Sequence, residues 1–215
     1  VERFKENVSA LVAAGEIESL KALALGGHGG VLRALIGLLY SSDDTLRWQA
    51  VMALGEVSAA LAKTNSERVL DLVRRLFWCL NDESGGVGWH VPEAIGEILA
   101  CVPRFAPTFG PSLATHLDIE PYGNGVLWSI GRLGRLDPNI IAFSLPRVRA
   151  LLDHDSPQVR GLAAWSLGQS GDKEAAARLA ALADDQGQTT VFEDGRLRQA
   201  TVGQLAAEAL QRLGA

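Results

Sequence analysis

The chain has 215 residues, 47% of them hydrophobic, with a net charge of −5 and an isoelectric point near 5.4. That acidic balance argues against a general nucleic-acid binder, which carries a basic face. No apolar run reaches the ~18 residues of a membrane span and no signal-peptide pattern opens the chain, so a cytoplasmic protein with no membrane contact is expected. Cys79 and Cys101 fall inside apolar helical patterns and read as reduced core residues of an intracellular protein. The first residue is Val1 rather than Met, which leaves room for an upstream piece.

In chain order, Phe4–Val12 and Ile17–Leu25 carry two short helical patterns, and GGHGG at 26–30 breaks the second. No strand precedes these glycines and no Lys-Ser/Thr follows, so they read as a connector rather than a phosphate loop. Val31–Tyr40 is the next helix, and SSDD at 41–44 supplies N-cap candidates for a helix from Leu46 to about Ala62. Val69, Leu72, Val73, Leu76, Phe77 and Leu80 recur at helical spacing, with Trp78 expected to be structural within that pattern. In residues 81–99, Pro92 either sits in the first turn of a helix starting near His90 or kinks a longer one. A short helix is expected over 111–116, and Pro121 opens another through Leu133. Asn139–Leu152 follows, bent or split at Pro146, then Ser156–Gly171 and Lys173–Leu182. Val191-Phe192, an Asp-Gly turn and Leu197 fit either a small hairpin or an irregular loop. The last helix runs from about Thr201 to Leu213.

The segment SPQVRGLAAWSLGQSG at 156–171 recurs. LRWQAVMALGE at 46–56, VGWHVPEAIGE at 87–97, YGNGVLWSIGRLG at 122–134 and TVGQLAAEALQRLG at 201–214 align with it, with anchors at Leu54, Ile95, Ile130, Leu167 and Leu210. The spacing stays within the roughly 40-residue range of helical-pair repeats, in which each unit buries its apolar face only against its neighbours. The pattern, best kept at Asp153, Val159, Arg160, Ala163, Ala164, Leu167 and Gly168, resembles the HEAT repeat, and more closely the HEAT-like repeats of phycobilisome-lyase proteins. The resemblance implies an all-α fold, an α-α superhelix: a HEAT-like solenoid of about five helical pairs. It would fill residues 1–215 as a single unit, with an N-terminal helical cap over 1–30 and repeats over 31–215. Arg47 keeps the repeat's Arg, whereas Gly88, Gly123 and Gly203 replace it, so an Asp-Arg ladder is expected to be broken in the middle.

Second helices of such pairs generally line the concave side. In the aligned register Trp48 and Glu56, then Trp89, Glu93 and Glu97, then Trp128 and Arg132, then Trp165 fall on adjacent tracks, with His90 beside Trp89. Aromatic residues with charged neighbours are what binding hot spots favour. The expected function is a protein-interaction scaffold of a bacterial-type cytoplasm, seating a protein or peptide in a tryptophan-lined, acidic groove with Trp89, Trp128 and Trp165 partly exposed. No specific nucleic acid is expected. A core role for each tryptophan is the competing reading. His90 with Glu93 and Glu97 falls short of a metal site, because zinc and iron sites draw on more His or Cys than is available here. His90 as a general base lacks a nucleophile or oxyanion motif, and Ser84–Gly88 reads as a tight turn rather than an anion site. No catalytic residue, cofactor or metal is therefore assigned. The alternative, implied by resemblance alone, is an enzyme or enzyme subunit: bilin-lyase-like, or similar to the HEAT-like DNA glycosylases, in which a concave Trp and an acidic residue hold a damaged base, as Trp89 and Glu93 would.

Overall fold

The computed structural model describes residues 2–80 and 90–214, so Trp89 and the Ser84–Gly88 turn lie outside the described residues. The chain divides into two compact units, residues 1–105 and 106–215.

The first unit is a run of helical pairs: α1 (Glu2–Ala13) with α2 (Ile17–Leu25), α3 (Gly30–Leu38) with α4 (Asp44–Ala62), and α5 (Ser66–Leu80) with α6 (Val91–Cys101). Gly15, at φ +70°, makes the left-handed turn out of α1. Asp43 caps α4, accepting from the amides of Thr45 at 2.9 Å and Leu46 at 3.3 Å. Pro92 sits in the first turn of α6, where its missing N–H costs nothing. The second helices form one layer, α4 packing against both α2 and α6, while α1 packs on α3. The α1–α2 segment is thus itself a helical pair that packs as its neighbours do.

Trp78 differs from expectation. The apolar face of α5 is Val69, Leu72, Val73, Leu76 and Leu80, and that register turns Trp78 outward with Arg74, leaving it 68% exposed. Cys79 and Cys101 stand at half-buried rather than core positions, and neither forms a disulfide.

The second unit contains α7 (Ala106–Ala114), α8 (Gly123–Leu136), α9 (Leu145–Ala150), α10 (Pro157–Gln169), α11 (Ala176–Ala181) and α12 (Val202–Leu213). Between α11 and α12 a hairpin of β1 (Gln188–Glu193) and β2 (Arg196–Thr201) is inserted. The first limb before α10 is split into short 3-10 turns around α9, because Pro138 and Pro146 each start a new turn rather than continue a helix. Asp194 and Gly195 both have positive φ, the signature of a two-residue hairpin turn. Thr201 and Gln204 form a capping box that starts α12 directly from the end of β2.

The repeat anchors Leu54, Ile95, Ile130 and Leu167 are at most 1% exposed. In the last copy the buried row is Leu205, Ala206, Ala209 and Leu213, and Leu210 stands half-buried beside it. The glycines that follow the anchors are buried and set close helix approaches. A Cβ on Gly168 would lie 2.7 Å from Ala209 on α12, one on Gly55 would lie 2.7 Å from Cγ of Glu97, and one on Gly131 would collide with the Trp165 ring. Arg160 pairs forward with Asp185 at 2.8 Å and Asp153 meets Arg178, so at this repeat both charges reach the following one, whereas Arg47 pairs with Asp44 of its own repeat.

Candidate functional site

In the first unit, the aligned register brings Trp48, His90 and Glu93 together across α4 and α6. The imidazole of His90 packs on Trp48, ring centroids 4.8 Å apart. Its Nδ1 lies 2.9 Å from Glu93 Oε1 and its Nε2 3.1 Å from Asp44 Oδ1. Both ring nitrogens thus face carboxyl oxygens, an arrangement that favours the doubly protonated imidazolium. Burial pulls the imidazole down, but the Glu93 and Asp44 charges outweigh it and hold its pKa above the ordinary histidine value. Asp44 is held in turn by Arg47 at 2.8 Å.

Three of the expected contact residues here are corrected by burial. Trp48 is 7% exposed, Glu93 5% and Glu97 1%. The close α4–α6 approach at Gly55 encloses the Glu97 side chain, while Trp48 and Glu93 pack against His90. Glu97 accepts from the Cys101 thiol at 3.4 Å, and Glu93 Oε2 is a buried oxygen without a hydrogen-bond partner. These carboxyl groups are enclosed in the α4–α6 contact rather than presented to a partner. Among the described residues no group of three or more His, Cys, Asp or Glu side chains is arranged to hold a metal ion.

Glu56 lies differently. It is exposed on α4 and pairs at 2.8 Å with Lys21 of α2, which also pairs with Glu18 at 3.0 Å. These side chains wall a depression of about 480 Å³ between α2 and α4. Ala22, Ala59 and Ala60 line it, Leu25 stands at its edge with half its surface exposed, and Lys63 closes the rim. Sequence reasoning missed Glu18, Lys21, Leu25 and Lys63. The signal available was the outward Leu25 on a helix whose buried positions are Leu20 and Ala24.

In the second unit the expected open aromatic face is covered by the chain itself. Trp128 and Trp165 stack, centroids 6.3 Å apart and planes 7° apart, and are 3% and 2% exposed. The hairpin lies over them. Trp128 Nε1 donates to the Phe192 carbonyl at 2.8 Å, and Trp165 Nε1 donates to Glu193 Oε1 at 3.0 Å. Gln169 and Arg212 donate to the same Glu193 oxygen, while Arg198 bridges Glu193 and Glu208. Burial raises the Glu193 carboxyl, but the Trp165 N–H and the Arg212 and Arg198 guanidiniums outweigh it and hold the group below its usual range. Gly161, one turn before Trp165 on α10, touches Thr189 of β1. The expectation of exposed Trp128 and Trp165 is therefore corrected: residues 188–201 occupy their face. Arg132 is half-buried on α8.

Among the described residues no helix is long and apolar enough to cross a membrane. A family model described as HEAT repeats matches residues 125–191, from α8 into β1. An uncharacterized protein of Archaeoglobus fulgidus is 33% identical over 103 residues, 47% of this chain and 53% of that relative. The chain thus spans about half the length of the curated relative it matches. The crystal structure of an engineered protein has a TM-score of 0.59 at 16% identity, covering 98% of this chain and 90% of that one, a likeness of fold alone. Residues 125–191 are thus similar to HEAT repeats, and the chain has the all-α helical-repeat fold that its sequence pattern implied.

Proposed function

We propose that the chain is a protein-interaction module that seats a partner segment between α2 and α4, with Glu56 as the member of the sequence-derived contact set that touches the partner. The observation that supports this reading is the depression itself: an alanine floor, a half-exposed Leu25 at its edge, and fixed charges of both signs along its walls. Helical repeats commonly use the surface of successive second helices for binding. An apolar floor rimmed by charge fits an amphipathic segment of a partner protein, whose aliphatic side chain would cover Leu25. Trp48, His90, Glu93 and Glu97 then hold α4 against α6 behind this surface and contribute to binding through rigidity rather than contact.

Affinity capture with the full chain tests the proposal, comparing wild type with Leu25→Glu and Ala59→Arg. Both substitutions face the depression and are expected to abolish capture of the partner while leaving the melting temperature within a few degrees of wild type. Undiminished capture by both variants contradicts it.

A further inference from the structure

The β hairpin offers a second surface, independent of the α2–α4 depression. In an antiparallel ladder, residues alternate between exchanging both backbone bonds with the opposite residue and pointing both groups away from it. The structure fixes which is which. Thr190 N donates to Gln158 Oε1 and Thr190 O accepts from Gln158 Nε2, both at 2.8 Å, so Thr190 points outward. The Phe192 carbonyl, taken by Trp128, points outward as well. Their opposite residues on β2 are Gln199 and Leu197, which must point outward on the other side. The outer edge of β1 is thus closed by α8 and α10, and the end of β2 is closed at Thr201, whose N–H donates to Gln204 at 2.8 Å. Among the described residues nothing hydrogen-bonds the outward backbone groups of Leu197 and Gln199. Gln199 is exposed and Leu197 half-buried.

We propose that the outer edge of β2 is a docking edge for an extended, acidic strand of a partner protein, which adds to the hairpin as a third strand through Leu197 and Gln199. An open edge is a template for strand addition, main-chain bonds supplying affinity and flanking side chains specificity. The charge of β2 selects the partner. Its sequence RLRQAT holds two arginines and no acid. Arg198 is engaged by Glu193 and Glu208, whereas Arg196 is exposed and carries no ion pair among the described residues. A strand bonded to Leu197 and Gln199 places its intervening residues beside these arginines, where carboxylates are favoured. A second copy fits poorly: antiparallel pairing of two β2 strands through Leu197 and Gln199 centres on Arg198 and sets it opposite itself, and like charges directly opposite are destabilising.

The test is fluorescence anisotropy of the full chain with two labelled peptides, one alternating valine and glutamate, the other valine and lysine. The first is expected to bind saturably, the second at least about tenfold more weakly, as opposed charges across strands require. Gln199→Pro removes the outward N–H and leaves the bonds to β1 in place, since Gln199 does not exchange bonds with Thr190. It is expected to weaken the glutamate peptide about tenfold, the loss of one interchain bond. Gln199→Thr, which keeps the N–H, is expected to bind within about twofold of wild type. Arg196→Glu alters no backbone group and is expected to reverse the preference between the peptides, so the proposal stays testable if the proline variant disturbs the hairpin. Failure of wild type to bind the glutamate peptide, or an unchanged peptide preference in Arg196→Glu, overturns it.

Discussion

Replacing Trp128 by Ala separates a core plug from a ligand platform. The indole is 3% exposed, lies flat against Trp165 and donates to the Phe192 carbonyl at 2.8 Å. An aromatic side chain buries roughly 150–250 Å², worth about 4–6 kcal/mol at ~25 cal/mol per Å². Leaving the Phe192 carbonyl short of a donor costs about 1–3 kcal/mol more. Partial collapse around the vacated space offsets some of this, and Trp→Ala changes in cores cost about 3–5 kcal/mol. A loss of about 4–5 kcal/mol is therefore expected from urea titration followed by the helical circular-dichroism signal. Trp128→Phe, which keeps most of the ring and drops the N–H, should lose about 1–2 kcal/mol. A loss below about 1 kcal/mol in the alanine variant would mean that the hairpin does not cover this face.

Three further outcomes follow from the same geometry. The folded pKa of His90 is raised, so the stability it contributes is full below the ordinary value of about 6.5 and is lost as pH rises through the folded value. Wild type should accordingly lose its advantage over His90→Gln as pH rises above about 6.5, and a gap that stays constant through that rise contradicts the clasp. The folded pKa of Glu193 is depressed, so its contribution is present above the unfolded value and lost as pH falls through the folded one. Glu193→Gln should therefore melt below wild type at neutral pH and converge with it as pH falls below the ordinary carboxylate range, and equal melting at neutral pH contradicts the network. Leu167, fully buried at the repeat anchor, should cost about 2–5 kcal/mol as Leu167→Ala, and an unchanged denaturant midpoint would show the register to be wrong.

The repeat register was legible because burial imposes it. Leu54, Ile95, Ile130 and Leu167 must fill the space between successive helices, and the glycines after Leu54, Ile130 and Leu167 let the next helix close in, so both leave a periodic trace. The same track logic found Trp48, Trp128 and Trp165 but could not say what lies over them. A tryptophan facing solvent and one facing an inserted hairpin occupy the same helical position. The hairpin's turn was visible in Asp194-Gly195, whereas its docking depends on Gln158, Gln169 and Arg212, distant polar residues without any periodic pattern. Trp78 failed for a related reason: apolar character suggested the core, while the spacing of Leu72, Val73 and Leu76 set it on the opposite face. The α2–α4 depression was illegible because alanines leave the same sequence signature whether they permit close packing or floor an open groove.

Site-specific photo-crosslinking probes the proposed surface in place. A benzoyl-phenylalanine at Leu25, on the depression, is compared with one at Phe143, an exposed aromatic position remote from it in sequence and 52% exposed. In cells of the native host, irradiation is expected to yield a discrete adduct of one partner from position 25, lost when Ala59→Arg is added, and none of that mass from position 143. No adduct from position 25, or the same adduct in equal yield from position 143, would contradict binding between α2 and α4.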